Sequence, residues 1–317
     1  MPTATNVLVL DAYAEKYARA LRQQFPGITL FPAPRLEALA VDLAEVDVLI
    51  AFGIAINDDL VRQAARLKWI QSLATGVDHF LRCPSLRRET LLTSARGIHG
   101  AAVRETVLFM MLALSHDAPR LLRHQAEHRW DRSKPRPLIA RKTAVVMGTG
   151  VSGSAAGAAL QALGMQVIGV SRTPRVEPGF DRIVALDALR ETVRTADYLI
   201  NIMPGGPANA NLIGRDVFAA MKPSAFFVNV GRGENVDEAA LIETLRDKRI
   251  AGAALDVFAT EPLPPDSPLW DLPNVIITSH ITGLFDEYED YVLPLIVENM
   301  RHFLAGEPEK MRNVVPH

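Results

Sequence analysis

Three side chains with complementary chemistry stand in the C-terminal part of this 317-residue sequence: Arg232, Glu261 and His280. A guanidinium can hold a carboxylate with two parallel hydrogen bonds, and an imidazole can give or take a proton near neutral pH. A carboxylate beside an imidazole orients the ring and stabilises its charged form. Together these groups suit the reduction of a 2-keto acid, in which a carbonyl receives a hydride and a proton.

In that reaction each side chain has a separate task. Arg232 would bind the substrate carboxylate and polarise the carbonyl, with the glycines on either side giving the substrate room. His280 would protonate the new hydroxyl, and Glu261 would orient its ring. Asp256 would accept a hydrogen bond from the carboxamide of a nicotinamide. Taken singly, these residues could be a surface ion pair and a structural histidine, but their joint placement favours an active site.

The placement rests on three predicted strands. Apolar runs cover residues 225–230, 250–255 and 275–278. Arg232 follows the first run, Asp256 the second and His280 the third. In open α/β sheets, ligands bind outside the carboxyl ends of the strands, so these side chains should converge on one crevice. Glu261 lies between Asp256 and His280, in a proline-rich segment that restricts its position.

A glycine-rich turn indicates where the hydride comes from. Residues 148–153 read GTGVSG, after an apolar run at 143–147 and before an alanine-rich helical segment and a second apolar run at 166–170. In this strand–turn–helix–strand frame, the G-x-G-x-x-G pattern predicts a dinucleotide site. The pyrophosphate would approach the glycines and the start of the helix. The residues concerned are Gly148, Gly150, Val151, Ser152 and Gly153.

The end of the second of those strands indicates which dinucleotide is bound. Enzymes that use NAD usually carry an acidic residue there, about twenty residues after the turn, for the ribose 2′-hydroxyl. This chain has Ser171, Arg172 and Thr173, with Arg175 just beyond. A guanidinium can bind a 2′-phosphate, which a carboxylate would repel. We therefore predict NADP(H) as the preferred cofactor and NAD(H) as the alternative. The alternative interpretation of Arg172 is a solvated surface arginine with no role in binding.

The N-terminal part of the chain alternates strands and helices without a glycine fingerprint, so we predict a small α/β substrate-side domain. The pattern predicts here a helix over residues 58–66, capped near Asn57, and a strand at 69–72; later in the chain it predicts a helix over residues 186–195. The loop at residues 73–78 follows a strand end, and Gly76 could let its main-chain N–H groups turn toward an anion, although an ordinary turn explains the loop as well. The apolar loop at residues 52–56 would favour a small or apolar substrate side chain. Gly97 and Gly100 flank His99 and predict a hinge between domains.

One further motif suggests a different class of protein. Residues 124–128 read HQAEH, which matches the H-x-x-E-H pattern of one group of zinc proteases. Histidines four residues apart on a helix can share a metal, but no further cluster of ligands has a recognisable spacing. We therefore favour a solvated helix over a metal site here and predict no metal cofactor.

Composition limits the partners and the compartment. The formal net charge of −2 gives no reason to expect nucleic acid or an anionic membrane as a partner. Cys83 is the single cysteine, which fits a reducing compartment and a cytoplasmic location. The first residues lack the pattern of a signal peptide, and no run of about eighteen apolar residues predicts a membrane span.

The chain resembles the D-isomer-specific 2-hydroxyacid dehydrogenase family over nearly its whole length. The matching segments are GTGVSG at 148–153, NVGRG at 229–233 with VDE at 236–238, DVFATEPL at 256–263, SPLW at 267–270, LPNV at 272–275, and TSH at 278–280 with Gly283. The resemblance implies catalytic Arg232, Glu261 and His280, of which Arg232 and His280 also bind substrate, and capture of the substrate carboxylate at Gly76 and Val77. It implies further cofactor contacts at Met203, Pro204, Val230, Gly231, Arg232, Asp256, His280 and Gly283.

The resemblance also implies an architecture. A doubly wound Rossmann cofactor domain, residues 99–283, would be inserted into a smaller flavodoxin-like α/β substrate domain, residues 1–98 and 284–317. The C-terminal helix would complete the substrate domain, and two copies would form a homodimer through the cofactor domain. Arg172 replaces the usual acid, as in glyoxylate and hydroxypyruvate reductases that prefer NADPH. The alternative is a dinucleotide-sensing binding protein similar to the corepressors of this family.

Overall fold

The structure is a computed structural model that describes residues 4–133 and 135–317, without the side chain of Ile54. The prediction for the apolar loop at residues 52–56 includes the side chain of Ile54, which lies outside the described part of the structure. The chain divides into two compact units. The first runs up to Ile98 and includes Asp286–His317, and the second is His99–Phe285. The assignment of substrate binding to the first unit and cofactor binding to the second stays a prediction.

Strands and helices alternate along both units. The strands are β1 (Thr5–Leu10), β2 (Ile28–Ala33), β3 (Val48–Ala51), β4 (Trp69–Ser72), β5 (Leu91–Thr93), β6 (Thr143–Met147), β7 (Gln166–Ser171), β8 (Arg182–Ala185), β9 (Tyr198–Asn201), β10 (Phe226–Asn229), β11 (Gly252–Leu255) and β12 (Val275–Ile277). The helices are α1 (Ala14–Gln24), α2 (Asp58–Gln63), α3 (Asp78–Leu81), α4 (Gly100–Ser115), α5 (Ala118–Ala126), α6 (Val151–Ala162), α7 (Leu189–Val193), α8 (Arg215–Ala220), α9 (Glu238–Arg246) and α10 (Tyr288–Ala305).

The first unit is built on a parallel sheet with the strand order β2-β1-β3-β4-β5. Every residue of β3 and β4 is buried, which is typical of parallel strands covered on both faces. Asn57 starts α2 as its N-cap, because its side chain accepts a hydrogen bond from the main-chain N–H of Leu60. The predicted start of this helix at Asn57 is therefore confirmed.

Helix α10, near the C-terminus, packs within this same unit. The rings of Phe303 and Trp69 lie 5.2 Å apart, centroid to centroid. Asn299 Nδ2 donates a 3.0 Å hydrogen bond to Gln71 Oε1 inside the core. Trp69 and Gln71 belong to β4, so the first unit is assembled from segments at both ends of the chain.

The second unit contains a parallel sheet with the order β12-β11-β10-β9-β6-β7-β8 in the described part of the chain. Strand order runs outward from β6 on one side and outward from β9 on the other, which is the arrangement of a doubly wound dinucleotide-binding sheet. Its switch point lies between β6 and β9, where ligands of such sheets bind at the carboxyl ends. The predicted fold class, α/β with a doubly wound Rossmann domain, is confirmed.

Local predictions differ from the structure mainly in short edge elements. The sequence analysis did not predict β5 and β8, which have three and four residues and lie at the edges of their sheets. The helix predicted over residues 186–195 is a 3₁₀ turn at Leu186–Ala188 followed by the five-residue α7. Short segments of mixed polarity carry too few residues for periodicity to distinguish them from loops.

None of the helices in residues 4–133 and 135–317 combines the length and hydrophobicity that a membrane-spanning helix needs.

Candidate active site

The glycine turn after β6 has the shape that a dinucleotide requires. A Cβ on Gly153 would lie 1.9 Å from the carbonyl oxygen of Gly148, so only glycine lets α6 approach the end of β6 this closely. Gly150, by contrast, has open space where its Cβ would stand. Gly150 is also the N-cap of α6 and has no side chain to occupy the N–H groups of the first turn. These features fit a pyrophosphate bound at Gly150, Val151 and Ser152.

The segment after β7 carries two arginines, Arg172 and Arg175. Arg172 is exposed and lies between Ser171 and Thr173. Arg175 donates a 2.6 Å hydrogen bond to the carbonyl oxygen of Thr149 in the glycine turn, and a 3.4 Å bond to Ser171 Oγ. Its Nε also lies 3.1 Å from Glu177 Oε2. The sequence analysis emphasised Arg172, but Arg175 is the arginine that contacts the turn directly.

Arg232 stands in the loop after β10, and this loop is packed tightly. A Cβ on Gly231 would lie 2.7 Å from the carbonyl oxygen of Met203, and one on Gly233 would lie 1.9 Å from main-chain atoms of Phe258. The flanking glycines therefore let neighbouring main chain approach the loop. This differs from the prediction that they leave room for substrate. Arg232 Nη1 donates a 2.8 Å hydrogen bond to the carbonyl oxygen of Gly231.

Glu261 and His280 are paired as the chemistry requires. His280 Nδ1 lies 2.7 Å from Glu261 Oε2, and Glu261 Oε1 accepts a 3.0 Å hydrogen bond from the main-chain N–H of Phe258. Because an ionised carboxylate only accepts, we assign the hydrogen to His280 Nδ1. This leaves Nε2 as the ring nitrogen for proton transfer to a substrate. The side chain of His280 is 45% exposed and therefore accessible to a ligand.

The surroundings keep Glu261 ionised. Partial burial disfavours its charged form, but the hydrogen bonds from His280 and from the Phe258 N–H outweigh that effect and hold the pKa of Glu261 below its ordinary 4.5. The nearby positive charges of His280 and Arg232 act in the same direction. The structure thus brings His280 and Arg232 within electrostatic reach of Glu261.

Asp256 anchors the turn that carries His280. It is fully buried, and its carboxylate accepts hydrogen bonds from Thr278 Oγ1 at 2.5 Å, from the Ile281 N–H at 2.9 Å and from the Thr282 N–H at 3.0 Å. Its carbonyl oxygen accepts a further bond, 2.8 Å long, from the His280 N–H. The sequence analysis missed this anchoring role, because it depends on the direction of main-chain N–H groups after β12. Contact with a nicotinamide carboxamide stays a prediction.

The other predicted contacts occupy loop positions within their own units. Val77 is the buried N-cap residue of α3, and Gly76 precedes it. Met203 is buried and Pro204 is exposed at the start of the loop after β9, and Val230 is buried directly after β10. A Cβ on Gly283 would lie 3.4 Å from the ring of His99. Their contacts with a ligand stay predictions.

The H-x-x-E-H segment does not have the geometry of a zinc site. Helix α5 ends at Ala126, and His128 has a left-handed backbone with φ 52°, so His124 and His128 do not share a helix face. His124 Nδ1 lies 3.7 Å from Asp131 Oδ2. Among the residues that the structure describes, no cluster of three or more His, Cys, Asp or Glu side chains could hold a metal ion. The continuous solvated helix predicted here is also wrong beyond Ala126.

Comparison with known proteins gives a consistent result. Residues 108–282 match the NAD-binding domain of the D-isomer-specific 2-hydroxyacid dehydrogenase family. The chain is 32% identical over 319 residues to glyoxylate/hydroxypyruvate reductase B of Pectobacterium carotovorum, covering 95% of each protein. It is 30% identical over 305 residues to D-3-phosphoglycerate dehydrogenase of Methanocaldococcus jannaschii, covering 95% of this chain but only 58% of that protein.

Solved structures agree with these sequence relatives. A D-isomer-specific 2-hydroxyacid dehydrogenase family protein from Aeromonas salmonicida superimposes with a TM-score of 0.89 at 32% identity, over 98% of both chains. An NADPH-dependent glyoxylate/hydroxypyruvate reductase from Sinorhizobium meliloti, solved with NADP and sulfate, superimposes with a TM-score of 0.84 at 28% identity, also over 98% of both chains.

Proposed function

We propose that this chain reduces small 2-keto acids with NADPH. The chain belongs to the D-isomer-specific 2-hydroxyacid dehydrogenase family and is therefore an NAD(P)-dependent oxidoreductase of CH–OH groups. Glyoxylate and hydroxypyruvate are the proposed substrates, and the product is the D-2-hydroxy acid. The observation that carries this proposal is the 2.7 Å pair of His280 and Glu261 in electrostatic reach of Arg232.

The residues divide the work as follows. Arg232 binds the substrate carboxylate and stabilises negative charge that develops on the carbonyl oxygen. His280, charged and oriented by Glu261 through Nδ1, donates its Nε2 proton to that oxygen, and the neutral ring takes the proton back in the reverse direction. When bound, the dinucleotide supplies the hydride. Gly76 and Val77 are proposed as further contacts of the substrate carboxylate through their main-chain N–H groups.

The proposed preference for NADPH is supported by the absence of an acidic residue among Ser171, Arg172 and Thr173. Two similar structures were solved with NADPH or NADP, those from Xanthobacter autotrophicus and Sinorhizobium meliloti. Arg172 and Arg175 would share the 2′-phosphate: Arg175 contacts the glycine turn, and Arg172 lies three residues earlier in the same segment after β7.

The cofactor preference is tested by exchanging one charge. We expect Arg172→Asp to raise the KM for NADPH by about tenfold or more, because a strong ionic hydrogen bond is replaced by repulsion, and to leave the KM for NADH nearly unchanged. The matched control is Arg190→Asp on α7, an exposed arginine outside the proposed site. Equal changes in both KM values, or none, would contradict the assignment.

The choice of small keto acids rests on how much of each relative's length the chain covers. The chain spans nearly all of the glyoxylate/hydroxypyruvate reductase but only about 58% of the phosphoglycerate dehydrogenase. Turnover of glyoxylate, hydroxypyruvate and 3-phosphohydroxypyruvate with both cofactors tests the proposal. A higher kcat/KM for the phosphorylated substrate would assign the chain to the other group, and no turnover of any keto acid would favour a dinucleotide-sensing protein.

We also propose a homodimer formed by the second unit. Helices α4 and α5 carry large apolar side chains that are more than a third exposed: Phe109, Leu112, Leu121 and Leu122. Such a concentration on adjacent helices is typical of a protein interface.

The free, buried Cys83 supports the proposed reducing, cytoplasmic compartment.

A further inference from the structure

Three buried asparagines form a hydrogen-bonded network at the carboxyl ends of β9 and β10. Asn201 ends β9, Asn229 ends β10, and Asn235 lies in the loop that follows Arg232. Their exposed fractions are 0%, 2% and 0%. Asn201 Nδ2 donates to Asn229 Oδ1 at 2.9 Å and to Asn235 Oδ1 at 3.0 Å. We call these three residues the asparagine network.

One side of the network holds the loop after β9, residues 203–209. Asn201 Oδ1 accepts a 3.1 Å hydrogen bond from the Met203 N–H. Asn235 Nδ2 donates to the carbonyl oxygens of Pro204 at 3.1 Å and of Asn209 at 3.3 Å. Both ends of this loop are therefore attached to the network. Met203 and Pro204 are among the proposed contacts of the dinucleotide.

The other side holds the loop that carries Arg232. Asn229 Oδ1 accepts a 3.2 Å hydrogen bond from the Gly231 N–H, and Asn229 Nδ2 donates to the Arg232 carbonyl oxygen at 3.3 Å. The two loops are also joined directly, because Glu234 Oε1 accepts a hydrogen bond from the Gly206 N–H. The main chain of Arg232 is thus fixed relative to the loop after β9.

A stability role alone does not account for this arrangement. Apolar side chains fill the neighbouring interior of the sheet, and burying an amide is favourable only when its donors and acceptors are satisfied. Here the amides are satisfied mainly by each other and by main-chain groups of the two loops. A satisfied buried polar network holds its parts in one defined geometry. The geometry that it defines is that of Arg232 beside residues 203–209.

We propose that Asn201, Asn229 and Asn235 are positioning residues that fix Arg232 relative to the cofactor loop, so that one buried network sets the affinity for both the keto acid and the dinucleotide. The inference rests on the proposed function, which assigns the substrate carboxylate to Arg232, and on the dinucleotide contacts at Met203 and Pro204 that the family resemblance implies. It adds residues that contact neither ligand.

Two isosteric variants separate the two sides of the network. Asn229→Asp keeps the oxygen that accepts from Asn201 and Gly231 but places a carboxylate oxygen against the Arg232 carbonyl. We expect the KM for glyoxylate to rise about tenfold and the Kd for NADPH to change less than about threefold, because one buried hydrogen bond is replaced by repulsion. Asn235→Asp instead places a carboxylate oxygen against the carbonyl oxygens of Pro204 and Asn209. We expect it to raise the Kd for NADPH more than Asn229→Asp does.

The matched control is Asn274→Asp. Asn274 Nδ2 also donates to main-chain carbonyls, those of Leu245 at 3.2 Å and Ala251 at 3.5 Å, but near the amino ends of β11 and β12. We expect this variant to lower Tm without changing either the KM for glyoxylate or the Kd for NADPH. Tm comes from thermal unfolding, the Kd from nucleotide fluorescence and the KM from initial rates at saturating NADPH.

The outcomes are distinguishable. If Asn229→Asp and Asn235→Asp lower Tm like the control but leave the KM and the Kd unchanged, the network is structural and the proposal is wrong. If either aspartate variant does not fold, Asn229→Ser and Asn235→Ser remove the same donors without adding charge, and the same split is expected. A wild-type protein that turns over no keto acid would overturn the proposed function and, with it, the premise of this inference.

Discussion

His280 occupies a backbone conformation that a histidine rarely adopts. Its φ of 55° lies in the left-handed region, which costs a residue with a side chain about 1–2 kcal/mol relative to the right-handed one. The hydrogen bonds from residues 278–282 to Asp256 offset that cost and fix the turn. The imidazole position therefore depends on a buried carboxylate 24 residues earlier (280 minus 256).

The first prediction concerns proton transfer. His280→Gln removes the only proposed proton donor while keeping a side chain of similar reach, so we expect kcat/KM for glyoxylate to fall by about 10²–10⁴-fold. Steady-state kinetics with NADPH measures the change, and the Tm from thermal unfolding serves as the control for correct folding of the variant. A variant that retains most of its activity would show that His280 is not the acid.

The second prediction concerns pH and Glu261. Because the pKa of Glu261 is lowered in the folded protein, its pairing stabilises the fold fully above the ordinary value of 4.5 and loses that effect as pH falls through the lowered value. We expect the difference in Tm between wild type and Glu261→Gln to shrink as the pH falls below the ordinary pKa of 4.5. A difference that grows toward low pH would contradict the lowered pKa.

Residue types and their spacing were enough to predict Arg232, Glu261 and His280 as a group. Other contacts around the candidate site were not predictable in the same way. Arg175 reaches Thr149 across the glycine turn, and Asp256 binds main-chain N–H groups of a turn that follows a different strand. Such contacts depend on loop conformations, which periodicity and composition do not specify.

Among the elements, strands buried on both faces were the easiest to predict, because continuous apolar runs are characteristic of them. β4 and β6 have the predicted bounds. The edge strands β5 and β8 were missed, since each has only one neighbour and few buried residues to produce a signal. Helix α6 begins at Val151, three residues before the alanine-rich segment that predicted it, because the glycine turn itself is continuous with the helix.

A buried carboxylate just before β3, that of Asp47, leads to a prediction about the stability of the first unit. Asp47 is 2% exposed, and its carboxylate accepts from the Asn6 N–H at 3.0 Å and lies 2.9 Å from Lys68 Nζ and 3.2 Å from Arg66. Burial disfavours the charge, but the Asn6 N–H and the two cations outweigh it and lower the pKa of Asp47. We expect Asp47→Ala to lower the free energy of unfolding by about 1–3 kcal/mol, because it removes hydrogen bonds to a buried charged group.

Denaturant unfolding at neutral pH measures this loss. The control is Asp59→Ala on α2, which removes an exposed ion pair with Arg62 and should cost less than about 1 kcal/mol. The contribution of Asp47 should persist down to its ordinary pKa of 3.8 and disappear as pH falls through the lowered value. If both variants lose the same free energy of unfolding, Asp47 contributes no more to stability than an exposed ion pair does.

At the scale of the whole molecule, the exposed apolar side chains of α4 and α5 bear on assembly. Leu122 is 65% exposed, the largest exposed fraction among the four apolar residues named on these helices. We expect Leu122→Glu to convert the proposed dimer to a monomer, because a charge would be buried at the interface without a partner. Sedimentation velocity measures the mass; Leu163→Glu, a leucine 42% exposed just after α6, is the control. A wild-type monomer would rule out the proposed interface.

The return of the chain to its first unit has a consequence for biosynthesis. Helix α10 emerges from the ribosome only after the 187 residues of the second unit (99 to 285), which takes roughly ten to forty seconds at typical elongation rates. Until then Trp69 and Gln71 have no Phe303 or Asn299 to cover them. We therefore expect the second unit to be fully translated before the last helix can cover the N-terminal sheet.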